Sequence, residues 1–367
     1  MIGESMFNPE FWKDRRVFVT GHTGFKGSWL CLWLHHVGAT VTGYALEPPT
    51  DPSLFEFARI SELIDHRTGD VRDLESLEAA LREAQPEVVF HMAAQSLVLY
   101  SYEEPVETFS TNVLGTVHLL DAVRRVPSVR AVVAVTSDKC YFNEEWAWGY
   151  REDDRLGGHD PYSGSKGAAE LVITAYQNAF FHPERNPGLA AIGSARAGNV
   201  IGGGDWAVDR LVPDIMTSLL ESQPTLIRKP QATRPWQHVL EPLNGYMMLA
   251  ERLFEDGHRY ATGWNFGPPE ESERTVGWIV ERLYALWPAD FEWERDPNPA
   301  PPESGFLKLD ASRARAELGW RPRLDLETTL EWIVNWYRGF EAGEDAREEC
   351  LREIRRFMSL DPDREES

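Results

Sequence analysis

Two short stretches hold residues whose types and spacing could do chemistry. In DPYSGSK, Tyr162 and Lys166 stand four apart, which places a phenol and an ammonium on one face of a helix. A phenol ionises near ~10 in water, so it can take a proton at neutral pH only with a cation at hand, and Lys166 is in position to be that cation. Upstream, AVVAVTSDKCY is a run of valine and alanine that stops at Ser137-Asp138-Lys139. Ser137 can hydrogen-bond the substrate oxygen whose proton Tyr162 would take, and Asp138 and Lys139 add an acid and a base on one loop. Tyr-x-x-x-Lys is common on ordinary surface helices, so the reading depends on what positions these groups.

The positioning elements can be read in order. Ser137 to Lys139 end a buried strand, and Tyr162 opens a helix with Asp160 as its cap and Pro161 in its first turn. Near the start, RVFVT at 16–20 breaks at Gly21, and an apolar helix follows from about Gly24 to Val37. Strand, glycine-rich turn and helix form a dinucleotide-binding context. Gly21 permits the tight turn, Gly24 lets a pyrophosphate approach the backbone, and Gly27 lets the helix pack on the strand, with the helix N-terminus favouring phosphate.

TVTGYALEPP is a second strand. No arginine near Tyr44 to Glu47 would welcome a 2′-phosphate, and Glu47 would repel one, so NAD is expected rather than NADP. HRTGDVRD gives a third strand ending at Asp70-Val71, and EVVFHMAAQS a fourth that ends on small residues. A helix over 105–125 carries Phe109, Val113, Val117 and Leu120 on one side. This alternation predicts an α/β fold: a doubly wound, parallel, Rossmann-like sheet with a smaller C-terminal substrate-binding lobe. The expected boundaries are an NAD-binding domain at 1–196 with 234–265 returning to it, a substrate lobe at 197–345, and a charged C-terminal tail at 346–367 forming a surface helix that frays at DPDREES.

Composition narrows the function. A net charge of −22 argues against nucleic acid and anionic membrane surfaces, although a local basic patch can still hold an anion. The three cysteines, Cys31, Cys140 and Cys350, have neither metal spacing nor the number for a disulfide framework, so no metal is expected and a reduced, cytoplasmic setting fits. No stretch approaches the ~18 apolar residues of a membrane span. Of the fourteen tryptophans, most are expected to pack the core and a few to line a pocket.

The motifs G-H-T-G-F-K-G at 21–27, H-M-A-A-Q at 91–95 and Y-S-G-S-K at 162–166 resemble the extended short-chain dehydrogenase/reductase family, nucleotide-sugar branch, over roughly residues 12–340. GHTGFKGSWL, TSDKCY, SARAGNVIGGGDW and RPWQHVLEPL are most similar to the branch's 4,6-dehydratases that act on CDP-linked hexoses. The sequence departs from that pattern at SLVLYSY after Gln95, where a proline and a more polar residue are expected. The resemblance implies a cofactor site at Gly21, Thr23, Gly24, Phe25, Gly27, Asp70, Val71, Ala93, Ala94 and Gln95, with Tyr162 and Lys166. It implies that Asn112 orders Lys166 and that Asn199 and Arg234 contact the substrate diphosphate. Ser137, Asp138, Lys139, Tyr162 and Lys166 would then be catalytic: Tyr162 the base at the sugar O4, Asp138 the acid at C6 and Lys139 the base at C5. That division needs Asp138 protonated and Lys139 neutral together. The rival readings are a 4-epimerase on the same scaffold, which needs no Asp138-Lys139 pair, and a non-catalytic dinucleotide sensor. A homodimer, or dimer of dimers, built on the helices at 105–125 and 163–180 is expected.

Overall fold

The chain winds one parallel sheet and packs helices on both faces of it. The computed structural model describes residues 6–182, 185–186, 188–287, 293–297 and 306–360. Most of the proline-rich stretch at 296–302 and all of the terminal DPDREES lie outside the described residues.

The sheet has seven strands: β1 (Arg16–Thr20), β2 (Thr40–Ala45), β3 (Asp65–Thr68), β4 (Val88–His91), β5 (Ala131–Val135), β6 (Ala191–Arg196) and β7 (Gly263–Asn265). Their spatial order is β7-β6-β5-β4-β1-β2-β3, every pair parallel. The order reverses between β1 and β4, so a crevice opens there at the carboxyl ends of the strands.

Alternation along each strand feeds two cores. Val17, Val19, Phe90 and Val133 belong to the core on the side of α1 (Phe25–His36), and Phe18, Val89, Val132 and Ile192 to the core on the side of α2 (Leu74–Ala84). Helix α1 is apolar around its whole girth and is buried from Gly27 to Leu34. The two-faced burial explains why β1, β4 and β5 read as continuous apolar runs.

Two elements differ from their sequence reading. Strand β3 stops at Thr68 rather than at Asp70-Val71. The chain turns there because the Asp70 carboxylate accepts from the Arg72 backbone N–H at 2.8 Å while the Asp70 carbonyl accepts from Asp73 N–H at 3.0 Å. The 105–125 helix is not uniform: Pro105–Phe109 and α3 (Gly115–Val123) are α-helical, with a π turn at Ser110–Leu114 between them. Leu120 faces the core, whereas Phe109 is exposed.

Helix α4 (Pro161–Ala179) starts as its sequence requires, with the Asp160 carboxylate accepting from Ser163 N–H at 2.9 Å and Pro161 in the first turn. The chain beyond β6 builds α5 (Leu211–Leu220), α6 (Leu240–Tyr260), α7 (Val276–Leu286), α8 (Leu326–Glu341) and α9 (Ala346–Ser359). Three short two-stranded ladders link them: Val200–Ile201 with Gln237–His238, Thr233–Pro235 with Glu273–Thr275, and Leu226–Ile227 with Glu294–Arg295. Helix α6 packs under β5 and β6. In α9, Cys350, Ile354 and Phe357 are buried, and the Phe357 ring meets Trp33 of α1, so one face of this charged helix belongs to the core.

Candidate active site

A cleft of about 840 Å³ runs across the carboxyl ends of the strands. Its first wall is made mostly of backbone. Gly21 has a φ of +74°, and a Cβ there would sit 2.6 Å from Ala93 N. A Cβ on Gly27 would sit 2.2 Å from the Gly21 carbonyl oxygen, so the helix approaches the turn as closely as a missing side chain allows. Thr20 Oγ1 accepts from the N–H groups of Met92 and Ala93, both at 3.1 Å, and thereby clamps the exit of β4 against that of β1. Thr23 Oγ1 donates to Leu46 O at 2.9 Å. Thr23, Phe25, Glu47, Asp70, Val71, Ala94 and Gln95 all line the same wall. Glycine at the turn, an open helix start and an approachable backbone fit a dinucleotide pyrophosphate, and Asp70 and Val71 end the wall one strand further out. The Asp70 carboxyl is held below the usual carboxylate range by its hydrogen bonds to Arg72.

Asn112 does not line the cleft; it sits behind it. Its Oδ1 accepts from Gln95 N–H, and its Nδ2 donates to Gln95 O and Ser165 Oγ, all at 2.9 Å. A π turn at this point lets one side chain bridge the β4 exit and α4 directly beside Lys166.

The catalytic candidates converge at the middle of the cleft. Ser137 Oγ donates to Asp138 Oδ1 at 3.0 Å and accepts from Lys139 N–H at 3.2 Å. Tyr162 and Lys166 are 7% and 5% exposed. Burial pushes the Tyr162 hydroxyl up to about 12, against the opposing pull of the Ser137 hydrogen bond and the Arg210 guanidinium. Burial brings the Lys166 ammonium down to about 8, while Cys140 and Glu170 act to raise it. In the chain by itself, desolvation of the phenol outweighs the Arg210 guanidinium. Asp138 Oδ2 is buried without a hydrogen-bond partner among the described residues, and a Cβ on Gly198 would lie 2.2 Å from it.

Spacing did not reveal the support beneath these groups. Glu170, one helical turn beyond Lys166, pairs with Arg196 at 2.7 Å and accepts from Ser194 Oγ at 2.7 Å and from Thr136 Oγ1. Arg196 also donates to Tyr141 Oη at 2.7 Å. This buried network joins α4 to β5 and β6. The i,i+4 step from Lys166 to Glu170 was a visible signal; Arg196 lies too far along the chain to be paired with it from sequence. Lys26, within the glycine motif, also lines the cleft. It donates to Tyr246 Oη at 3.1 Å, and burial, Arg210 and Lys166 bring it down to about 7.

The second wall is made of side chains from loops. Asn199 and Arg234 are both on it, with Arg210, Arg228 and Lys229, a cationic lining inside an acidic chain. Arg210 reaches Ser96 Oγ at 2.9 Å and Asp205 at 3.2 Å. Of the tryptophans only Trp206 and Trp236 line the cleft; Trp12, Trp29, Trp33, Trp264, Trp320 and Trp336 are fully buried core residues.

The family model described as GDP-mannose 4,6 dehydratase matches residues 18–333. The chain belongs to the GDP-mannose 4,6-dehydratase family. Within it, a CDP-glucose 4,6-dehydratase of Salmonella typhimurium is 54% identical over 358 residues, covering 96% of this chain and 99% of that protein. Among solved structures, a Thermus thermophilus UDP-glucose 4-epimerase in complex with NAD is 26% identical, with a TM-score of 0.72 over 88% of this chain and 99% of its own. A dTDP-glucose 4,6-dehydratase from Bacillus anthracis in complex with NAD gives a TM-score of 0.73 at 22% identity, over 91% of this chain and 99% of its own, a likeness of fold. Dehydratases and epimerases of this group thus share one scaffold, and the groups in the cleft must decide between them.

Proposed function

We infer that this chain is an NAD-dependent CDP-glucose 4,6-dehydratase, a hydro-lyase that converts CDP-glucose to CDP-4-keto-6-deoxyglucose and water. The observation that carries the reading is the meeting of Ser137, Asp138, Lys139, Tyr162 and Lys166 on one cleft, in a chain 54% identical to a protein of that activity. The glycine cradle at Gly21, Gly24 and Gly27 holds the NAD pyrophosphate, with Asp70 and Val71 at the adenosine end. When bound, NAD supplies the acceptor and later the donor of a hydride at the sugar carbons, together with positive charge.

Tyr162 takes the proton of the sugar O4, and Ser137 hydrogen-bonds the same oxygen. Burial raises the Tyr162 hydroxyl to about 12 in the chain by itself, and positive charge brought by the cofactor acts in the opposite direction. Lys139 removes the C5 proton made acidic by the 4-ketone, and Asp138 protonates the leaving hydroxyl at C6. This division places the one proton of the pair on Asp138 and leaves Lys139 neutral while the sugar is bound. Asp138 Oδ2, buried with no hydrogen-bond partner among the described residues, is available to a group of the bound sugar. Asn199 and Arg234 hold the diphosphate.

A 4-epimerase needs no acid–base pair at C5 and C6, and Asp138-Lys139 supplies one. Incubation with CDP-glucose is expected to give a product absorbing near ~320 nm in alkali, with solvent deuterium at C5. A product that keeps its C6 hydroxyl would overturn the reading.

The protein is proposed to act in the cytoplasm, consistent with three buried free thiols. No helix among the described residues is long and apolar enough to cross a membrane. It is further proposed to be a dimer, because Val106, Phe109, Leu114 and Leu171 stand exposed along α4 and the segments before α3. A monomeric mass by light scattering at micromolar concentration would exclude the dimer.

A further inference from the structure

The steps proposed above do not end where they began. Over one turnover Tyr162 gains the O4 proton, while Asp138 loses the proton that departs with the C6 hydroxyl as water. Lys139 takes a proton at C5 and gives one back there, and the hydride that leaves C4 returns at C6. The sugar is then finished, but the protein is not reset. It holds a phenol where a phenolate is needed and a carboxylate where an acid is needed, so one proton must pass from Tyr162 to Asp138. Both groups are buried, as is Ser137, which hinders exchange with bulk water.

Ser137 is bonded in the way that serves this transfer. A hydroxyl has one hydrogen to donate and two lone pairs with which to accept. Ser137 Oγ donates that hydrogen to Asp138 Oδ1 at 3.0 Å and accepts from Lys139 N–H at 3.2 Å. It also hydrogen-bonds Tyr162, and with its own hydrogen committed to Asp138 it accepts there from the phenol. Every capacity of the hydroxyl is used. The two bonds that join Tyr162, Ser137 and Asp138 both point from phenol to carboxylate, and bonds in series polarise one another.

We propose that the Ser137 hydroxyl is the conduit that returns the proton from Tyr162 to Asp138 after each turnover. The Tyr162 O–H bond breaks as a new Ser137 O–H bond forms, and the old Ser137 O–H bond breaks as Asp138 Oδ1 takes its hydrogen. Phenol and carboxylate become phenolate and acid, no atom or charge is gained, and both hydrogen bonds reverse. A half turn of the carboxyl then exchanges Oδ1 for Oδ2, the oxygen that has no hydrogen-bond partner among the described residues. Gly198, whose Cβ would lie 2.2 Å from Oδ2, leaves the space beside it.

The proton return rests on the dehydratase reading and gives Ser137 a second task beyond holding O4. The test measures kcat on CDP-glucose for the wild type, Ser137→Ala, Ser137→Gly and Ser137→Thr over a series of imidazole concentrations at fixed pH and ionic strength. Alanine and glycine both remove the conduit, so kcat is expected to fall by about 10². Imidazole carries protons near neutral pH, so it is expected to raise both variants by about 5-fold or more and to leave the wild type unchanged. Ser137→Thr keeps the hydroxyl and is expected to stay within about 5-fold of the wild type. Calorimetric binding of NAD and CDP checks that each variant is folded. A hydroxyl that only held O4 would give a loss that imidazole does not repair. That result, or an alanine variant within about 3-fold of the wild type, overturns the proton return and leaves the dehydratase reading standing. A wild type that forms no 4-keto-6-deoxy product removes the dehydratase reading, and the proton return with it.

Discussion

The two walls of the cleft are built on different principles. The cofactor wall is backbone: glycines whose missing Cβ atoms let Gly21 and Gly27 approach their neighbours, and strand ends clamped by Thr20. The nucleotide wall is side chains: Arg210, Arg228, Lys229 and Arg234 projecting from loops and two-residue or three-residue ladder strands. A backbone wall binds one invariant group and tolerates little change in the chain. A side-chain wall can be retuned residue by residue, and that is where substrate choice has to lie. The proposed catalytic groups stand on the seam, carried by the end of β5 and by α4.

The largest expected effect is at the seam. Tyr162→Phe keeps the packed ring and removes only the hydroxyl, so turnover should fall by about 10³ or more while CDP binding stays within a few-fold of wild type. Rate assays beside calorimetry check this; retention of a tenth of the rate would remove Tyr162 from the base role.

Next in size is Lys139→Met. Product formation should drop by about 10², the usual weight of one acid–base group, and solvent deuterium should cease to enter at C5 while both walls still bind. If Lys139 instead holds phosphate, the loss appears in KM and deuterium entry stays coupled to turnover. That outcome would move Lys139 from the seam to the side-chain wall and redraw the comparison.

These contrasts also explain what could be read in the sequence. The parallel sheet, the glycine turn, and the shared helical face of Tyr162 and Lys166 were legible because each leaves a local signature: an apolar strand run, glycines where a Cβ cannot fit, a four-residue helical step. The Glu170–Arg196 pair, the bridging of Asn112 to Ser165, and the approach of Lys26 to Tyr246 were not, because each joins residues far apart in sequence with no period to betray them. The burial of Tyr162 was not legible for a related reason: spacing shows which cation lies nearby but not how much water has been removed. The end of β3 was overrun because Asp70 ends the strand with a side-chain hydrogen bond that no hydrophobic pattern records.

Arg234→Ala tests the side-chain wall directly. Arg234 is 5% exposed, and a charge-assisted hydrogen bond to phosphate contributes about 1.5–3 kcal/mol, so CDP-glucose affinity should weaken by about 10–100-fold. NAD affinity should stay unchanged, since no part of the glycine cradle is touched. Equal losses for both ligands, measured by calorimetry, would mean that Arg234 holds the two walls together rather than holding the substrate.

The smallest effect is expected from a side chain on the backbone wall. Glu47 follows β2 and lines the cleft, its carboxylate accepting from Thr68 Oγ1 at 3.3 Å. If the wall binds through its backbone, Glu47→Gln should change NAD affinity by less than about 3-fold, because the amide keeps the acceptor oxygen and an exposed single charge acts weakly through water. NADP should gain more than NAD, since the substitution removes a negative charge from the place where its 2′-phosphate must sit, yet the gain should stay under about 10-fold with no arginine present to welcome that phosphate. Titration of both dinucleotides at two salt concentrations checks this, because a through-space charge effect shrinks as salt rises. A loss of NAD affinity as large as the Arg234→Ala loss for substrate would show that the first wall also binds by side chains, and the division between the two halves of the cleft would fall.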